Sequence, residues 1–565
     1  MTQDVEAWRS QVSQPVHEMK VQRGVTIVAR DGTRLACDVY LPETPGRYPA
    51  LLSYSHYGKD LQHITGKRAP LSPFIGNGGQ EAGNSEYFVA RGYVHVIADA
   101  RGSGDSEGEY CYQGPKEQED GYDIIEWMAG QAWCDGNCGM LGMSYFAVMQ
   151  YMVAAQQPPH LKAIVPYEAL TDRYRQSTYH GGLLNEGFWH QWWGHVSVDG
   201  MRPLSYDYLS QAEIERRVAA LMETPEVRRS PYLHIQLKYP KKNPLLFGWM
   251  LEPFDGPFYW ERSPYRMFDR IKIPTFLATR WSSWAVHLAG AFEAYAGIDA
   301  PKKLLIMETE SELGPMRPWD DHQDLILRWY DHWLKGIDTG FMDEPPISLL
   351  IKGSNEYRSE HEWPLARTQW TKMFLGPDNL LEERQPAQAG EVSFRNDPDL
   401  PPNRTPVGVT FQSRPFDQEV EVTGPISFYF HARLDQPDAT WVVTLRDIAP
   451  DGTARTLTKG WLRASQRELD EEKTLPYRPY QKHTRRETLE PGRSYAYAME
   501  IRELSNVFLP GHRLAMDIKG QDSAAEDPIW IHTCSAVETT HTVRFGGECE
   551  SYLLLPLIPK GGTKQ

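Results

Sequence analysis

Cysteines and long apolar runs are scarce in this 565-residue sequence, and basic residues are outnumbered by acidic ones. Six cysteines are too few for a disulfide-built protein of this length, which favours free thiols in a reducing cytoplasm. No stretch approaches the roughly 18 apolar residues of a membrane helix, and no secretory signal opens the chain. The net charge of −16 argues against general binding to nucleic acid or anionic membranes. We therefore expect a cytoplasmic protein without nucleic-acid or membrane partners; a homodimer is compatible with the sequence.

Motifs for metals and cofactors are also scarce. Cys134 and Cys138 have no second cysteine pair nearby, so they make a poor zinc site. The spacing of His180, His190 and His195 places no convincing pair on one helix face, which argues against a metal there. The sequence contains neither a phosphate loop nor a dinucleotide fingerprint. We expect no metal and no cofactor.

The pattern of apolar residues is typical of an α/β domain with an insertion. Compact apolar runs at 50–54, 93–98 and 161–166 resemble buried parallel strands, and segments of helical spacing separate them. This alternation predicts a parallel sheet covered by helices. We place this α/β core at residues 1–171 and 267–345.

Two further regions differ from that pattern. Residues 172–266 are irregular, helical and crowded with aromatic and histidine side chains, which indicates an inserted helical cap. From residue 346 the chain turns β-rich, beginning with the apolar run Ile347–Ile351. The region 346–565 is therefore predicted to be a separate β-sandwich.

Ser144 carries the sharpest local signal of chemistry. A predicted strand leads into Gly142, one residue separates it from Ser144, and a helical pattern follows at once, as in a nucleophile elbow. Phe146 stands where the usual pattern has glycine, although Ala147 is small. The alternative is a serine that caps a helix. We favour the elbow because of its position between strand and helix, where the backbone N–H of Tyr145 can stabilise an oxyanion.

Several separate motifs resemble those of one enzyme family. The segments 99–108 (DARGSGDSEG), 142–145 (GMSY) and 505–513 (SNVFLPGHR) are similar to those of cocaine-esterase-like serine hydrolases, which are related to X-prolyl dipeptidyl peptidases and α-amino-acid ester hydrolases. The resemblance covers nearly the whole chain. It implies an α/β-hydrolase core, an inserted helical cap and a carboxy-terminal β jelly roll.

The same resemblance implies roles for individual residues. Ser144 matches the family nucleophile, and Tyr57 matches a tyrosine whose hydroxyl fills the oxyanion hole together with the N–H of Tyr145. The alternative for Tyr57 is an ordinary buried aromatic residue.

The other two triad positions depart from the family pattern. Ser283 stands where the family places its aspartate, and the segment 307–312 contains no histidine where the family places one. A serine hydroxyl needs a base, and an acid must orient that base. Our hypothesis is a swapped arrangement in which His287 is the base and a glutamate of the loop orients it; from Glu308, Glu310 and Glu312 we choose Glu310.

Other roles for these residues remain open. His287 could be a half-buried helix histidine and the glutamates a solvated loop. His322 is a weaker candidate for the base, at the start of a predicted helix.

The functional prediction is a serine hydrolase that cleaves a small-molecule ester or amide through an acyl-enzyme on Ser144. Trp189, Trp192 and Trp193 are predicted to line a pocket for an aromatic or apolar acyl group, although they could equally be core. One alternative is an acyltransferase or cyclising enzyme that uses the same serine. Another is a hydrolase fold that has lost its chemistry and serves as a binding protein, an idea supported by the two departures from the triad.

Overall fold

A computed structural model describes residues 8–63, 81–194, 196, 198, 201–308, 318–401 and 404–559. The first part of the chain alternates strands and helices, as expected. Its elements are Met19–Val28 (β1), Arg34–Pro42 (β2), Tyr48–Ser55 (β3), Ser85–Ala90 (α1), Val94–Asp99 (β4), Pro115–Ala129 (α2), Cys134–Met140 (β5), Tyr145–Ala155 (α3) and Leu161–Ile164 (β6).

The segment that follows is mainly helical, as the aromatic-rich sequence predicts. Its described residues form a short hairpin and six α-helices: Tyr179–His180 (β7), Leu183–Leu184 (β8), Glu186–Trp193 (α4), Gln211–Met222 (α5), Pro225–Arg229 (α6), Pro231–Lys238 (α7), Pro244–Leu251 (α8) and Pro257–Trp260 (α9). Four of these helices have Pro at the first helical position, where its missing N–H costs nothing, so each start is defined by the sequence.

The chain then returns to the first sheet. The elements are Thr275–Arg280 (β9), Leu288–Gly297 (α10), Lys302–Met307 (β10), Pro318–Lys335 (α11), Ile347–Ile351 (β11) and Glu356–Glu360 (β12). The ten strands are ordered β1-β2-β4-β3-β5-β6-β9-β10-β11-β12. Strands β3 to β6 and β9 to β11 run parallel, and antiparallel strands complete both edges.

One strand was assigned to the wrong region from sequence. Ile347–Ile351 was expected to open the carboxy-terminal sandwich, but it pairs in parallel with β10, with Leu304 opposite Ile347. Its alternating apolar pattern fits either sheet, and only the pairing distinguishes them. The first sheet therefore extends past the predicted boundary at residue 345, to Glu360.

The rest of the chain is rich in strands. They are Gln369–Leu375 (β13), Leu380–Glu382 (β14), Gly390–Asn396 (β15), Gly408–Ser413 (β16), Val420–Leu434 (β17), Thr440–Ile448 (β18), Ala454–Arg463 (β19), Ser494–Phe508 (β20), Arg513–Lys519 (β21), Thr539–Phe545 (β22) and Tyr552–Ile558 (β23). Almost all of their pairings are antiparallel. The jelly-roll connectivity stays a prediction.

Apolar clusters hold these layers together. Leu52 in β3 belongs to a cluster that includes α2, α3 and much of the helical insertion, whereas its neighbour Leu51 packs in another cluster with α1 and α11. Successive strand residues point to opposite faces, so helices cover both faces of the sheet. The second β region has its own core, around Phe428 and Trp441. None of the helices in the described ranges combines the length and apolarity that a membrane crossing requires.

Candidate active site

Ser144 lies in a sharp turn between β5 and α3. Ser144 occupies the N-cap position of α3 with φ 56° and ψ −115°, but its side chain makes no capping hydrogen bond, so it does not cap the helix as the alternative reading requires. A side chain at Gly142 would place Cβ 2.4 Å from Cβ of Phe146, and φ at Gly142 is +128°. Glycine is thus required on the strand side of the turn. The backbone N–H of Ser144 donates to the carbonyl of Tyr167 at 3.1 Å, which ties the turn to the chain after β6.

His287 lies beside Ser144 and comes from the segment between β9 and α10. It immediately precedes α10, after β9, and its Nε2 lies 3.5 Å from Oγ of Ser144. Its Nδ1 lies 3.4 Å from Oε2 of Glu168. These separations are long for hydrogen bonds, but catalytic contacts often tighten only when substrate is bound. The three side chains form a continuous chain, from carboxylate through imidazole to hydroxyl.

Glu168 is buried and anchored by charge. Arg280 at the end of β9 donates to both of its carboxylate oxygens, from Nε at 2.5 Å and from Nη2 at 2.8 Å. Ser283 adds a third hydrogen bond, with Oγ 3.0 Å from Oε1. Burial alone would raise the pKa of Glu168, but Arg280 and His287 hold it well below its usual range. The carboxylate is therefore ionised at neutral pH and available to orient the imidazole.

The carboxylate that lies beside His287 in the described residues is Glu168. Glu310, the acid chosen from the sequence, lies outside the described residues together with Glu312, so that choice stays a prediction. Glu308 accepts hydrogen bonds from Ser282 at 2.6 Å and Lys352 at 3.0 Å. Glu168 was missed, although a signal was present.

That signal was the position of Glu168 just after a predicted strand. In α/β-hydrolases the triad follows the chain order serine, acid, histidine. Glu168 fits this order between Ser144 and His287, whereas Glu310 would come last. Ser283 stands where the resemblance places the aspartate of the triad. Its hydroxyl donates a hydrogen bond to the carboxylate of Glu168.

Tyr57 lies beside the serine as predicted from the resemblance. Its hydroxyl accepts a hydrogen bond from Nε1 of Trp192 at 3.1 Å. Burial and the charge of Glu81 raise its pKa well above the usual value, despite hydrogen bonds with Trp192 and Ser144, so the hydroxyl keeps its proton. Tyr145 is the first residue of α3, where backbone N–H groups have no acceptor within the helix. Both groups are donors that an oxyanion could use.

A cavity of about 190 Å³ opens onto these groups. Its wall includes Tyr57, Ser144, Trp189, Trp192, His287 and Trp530. Trp193, also predicted to line it, does not, because it lies one residue beyond Trp192 and hence about 100° further around α4. Trp530 was not foreseen; it comes from the second β region and stacks on Phe188 with ring centroids 5.2 Å apart.

The remaining histidine candidates have other neighbours. His322 is 3.3 Å from the hydroxyl of Tyr167, through Nδ1. His180 contacts His532 at 2.8 Å, and the ring of His190 packs against Tyr232. His195 lies outside the described residues.

A mixed ten-stranded sheet with an elbow serine and an adjacent histidine defines a serine hydrolase of the α/β class. Residues 31–310 match the model of the X-Pro dipeptidyl-peptidase (S15) family, and residues 339–554 match that of the X-Pro dipeptidyl-peptidase C-terminal non-catalytic domain. The chain therefore belongs to the X-Pro dipeptidyl-peptidase (S15) family of serine hydrolases, and is an enzyme of the esterase and peptidase type.

Relatives resemble this chain over nearly its whole length, and solved structures share its fold. The cocaine esterase of a Rhodococcus species is 26% identical, over 96% of this chain and 99% of its own. A CocE/NonD family hydrolase from Staphylococcus aureus has the same fold, with a TM-score of 0.77 at 24% identity over 96% of this chain and 94% of its own. An α-amino acid ester hydrolase gives a TM-score of 0.72 at 17% identity, over 96% and 97% of the two chains.

Proposed function

We propose that the enzyme cleaves a small-molecule ester or amide through an acyl-enzyme on Ser144, with His287 as the general base and Glu168 as the residue that orients it. The observation that carries this proposal is the unbroken run of contacts from Glu168 through Nδ1 and Nε2 of His287 to Oγ of Ser144. An ionised carboxylate at Nδ1 favours the tautomer with its proton on Nδ1, which leaves Nε2 free to accept the serine proton.

In the first half of the reaction, Oγ of Ser144 attacks the carbonyl carbon and its proton passes to Nε2 of His287. The hydroxyl of Tyr57 and the N–H of Tyr145 are proposed to donate to the developing oxyanion. Collapse of the tetrahedral intermediate breaks the bond to the leaving group, which takes the proton from His287. Water then repeats the sequence against the acyl-enzyme, which releases the acid and restores the serine.

The cavity limits the size of the group it can hold. A cavity of about 150 Å³ is enough for benzene, and this one measures about 190 Å³. Its tryptophans favour a flat or apolar group. We therefore propose a group about as large as one aromatic ring or a short acyl chain. By family likeness, the strand-rich region beyond the first sheet is proposed to be a jelly roll that supports the rim of this pocket.

The test is to follow the intact protein by mass spectrometry during reaction with a p-nitrophenyl ester, together with steady-state kinetics. The wild type should gain one acyl group, and Ser144→Ala should gain none. We expect kcat/KM to fall by about 10⁴-fold or more in Ser144→Ala and His287→Ala, and by about 10³–10⁴-fold in Glu168→Gln, because the imidazole loses its orienting charge.

Glu308→Gln is the matched control, since it removes a carboxylate near the site that contacts Ser282 and Lys352. Wild-type rates in Glu168→Gln would overturn the assignment of the acid. Acylation of Ser144 followed by faster loss of the acyl group to added amines than to water would favour the acyltransferase alternative.

A further inference from the structure

Arg173 is a buried cation in the wall of the active-site cavity. It is 3% exposed, and its guanidinium carbon lies 5.0 Å from the ring centroid of Tyr112, which also lines the cavity. Among the described residues it forms no ion pair. Its Nη2 donates to Oε1 of Gln113, its Nη1 is 3.4 Å from Oγ of Ser177, and its Nε has no hydrogen-bond partner in the described parts of the chain. A buried charge is costly unless an opposite charge and hydrogen bonds compensate it.

Gln113 adds a second buried donor to the same wall. It is fully buried and lines the cavity, its Oε1 is occupied by Arg173, and its Nε2 has no hydrogen-bond partner within the described ranges. Its backbone is held at φ 58°, next to Tyr112 at φ 44°. Such conformations are uncommon outside glycine, and they cluster at ligand sites. The N–H of Gln113 is fixed by Oε2 of Glu117 at 2.6 Å and by the hydroxyl of Tyr145 at 3.1 Å.

We propose that Arg173 and Gln113 form a carboxylate-binding subsite, so that the substrate is an ester or amide that also carries an acidic group. A carboxylate accepts hydrogen bonds and balances the guanidinium charge. This fits Nε of Arg173 and Nε2 of Gln113, two buried donor atoms that have no acceptor within the described residues. The scissile ester or amide bond in this inference rests on the proposed function. The carboxylate subsite does not, because a carboxylate can bind without being part of a reaction.

Other charged side chains also line the cavity. Glu168 is paired with Arg280, so it does not compensate Arg173. The charge of Glu81 acts on Tyr57, on the side of the oxyanion donors. Arg173 packs instead on Tyr112, whose ring is 5.7 Å from that of Trp192. Within the described residues, Arg173 is therefore a cation of the cavity wall without a paired carboxylate.

The first test compares two matched pairs of substrates. Mono-p-nitrophenyl glutarate and p-nitrophenyl valerate differ by a carboxylate on the acyl side; 4-acetoxybenzoate and 4-acetoxybenzamide differ by one on the leaving side. In at least one of these two pairs, the kcat/KM of the wild type should be at least tenfold higher for the anionic substrate than for the neutral one. Arg173→Met should lower that ratio by about 10–100-fold, as expected for hydrogen bonds to a charged group. A ratio that is unchanged by Arg173→Met in both pairs overturns the proposal.

Gln113→Glu provides a second variant that retains the arginine. It is nearly isosteric and gives Arg173 an internal carboxylate, so it should abolish the preference for the anion even if Arg173→Met folds poorly. Arg173→Lys keeps the charge and should retain part of the preference. The melting temperature of each variant reports its folding.

Binding to Ser144→Ala separates this proposal from the catalytic one. By calorimetry, at least one of the two acids, glutarate or 4-hydroxybenzoate, should bind Ser144→Ala more tightly than its amide, glutaramide or 4-hydroxybenzamide. The additional Arg173→Met change should remove that difference. If no ester is hydrolysed but this difference is found, the subsite stands and the proposed function fails. If both acids bind no better than their amides, the subsite is wrong whatever the hydrolytic activity.

Discussion

At the scale of single residues, the ionisation of Glu168 depends on the charged side chains that it contacts. Glu168 is fully buried, and without compensation burial would make its pKa higher. Arg280 reverses that effect through its positive charge and through two hydrogen bonds. The arginine is thus a positioning residue: it keeps the carboxylate ionised and fixes the oxygen that faces His287.

Arg280→Met should therefore change the pH dependence of catalysis as well as its rate. With the guanidinium removed, burial dominates and the pKa of Glu168 rises, so protonation of Glu168 begins at a higher pH. We expect kcat/KM near neutral pH to fall about 10–100-fold, and the acidic limb of the profile between about pH 4 and pH 9 to move to higher pH. Arg280→Lys keeps the charge but not the bidentate geometry. Its kcat/KM and the position of its acidic limb should therefore lie between those of the wild type and of Arg280→Met. A lower rate with an unmoved acidic limb would mean that Arg280 acts only on structure.

At the scale of elements, the active site is held by contacts between helices and loops behind the cavity. Glu117 in the first turn of α2 accepts hydrogen bonds from the hydroxyl of Tyr145 at 2.6 Å and from the N–H of Gln113 at 2.6 Å. Burial raises the pKa of Glu117 to about 7, although these two hydrogen bonds oppose the rise. A carboxyl group thus titrates near neutral pH directly behind the oxyanion residues.

This carboxyl group should make stability depend on pH. Because its pKa is higher in the folded state than the ordinary 4.5, its contribution is fully present below about pH 4.5 and is lost as pH rises through about 7. Glu117→Gln mimics the protonated acid. From about pH 5 to about pH 8, the unfolding free energy of this variant should therefore gain about 2–3 kcal/mol relative to wild type, measured by urea denaturation. A constant difference across that range would mean that Glu117 does not titrate there.

The elements also explain what the sequence could and could not predict. The elbow was predictable because Gly142, Ser144 and the following helix are local. The acid was not identified, because the contact of Glu168 with His287 depends on how β6 lies against β9, where Tyr167 bridges Ala278. The apolar run Ile347–Ile351 was recognised as a strand, yet its sheet was not, since a short alternating strand carries no information about its partner.

At the scale of the whole molecule, the pocket is built from three regions of the chain. The α/β sheet supplies Ser144 and His287, the helical insertion supplies Trp189 and Trp192, and the second β region supplies Trp530. Sequence patterns located the first two contributions. The third could not be predicted, because Trp530 lies in a segment without regular secondary structure, and its relation to the pocket depends on how the regions dock.

The docking segment 528–533 runs beside α4 and is fixed by directed bonds. The N–H of Gly187 donates to the carbonyl of Ile531 at 3.0 Å. Nε2 of Gln191 donates to the carbonyl of Pro528, and Oγ1 of Thr533 donates to Glu186, both at 2.9 Å. These bonds hold Trp530 against Phe188 and thereby set one limit of the cavity.

Trp530→Ala should consequently change which acyl groups are accepted. Removing the indole lengthens the cavity, and each additional methylene that becomes buried is worth about 0.8 kcal/mol, or about fourfold. For neutral p-nitrophenyl esters, the ratio of kcat/KM for hexanoyl to butyryl should rise about tenfold, with the optimum moving to longer chains. Trp370→Ala is the control, because that tryptophan is 37% exposed and stacks on Tyr477. If both variants keep the wild-type chain-length profile, the second β region does not limit the acyl site, and the length of the pocket must be set by the sheet and the helical insertion.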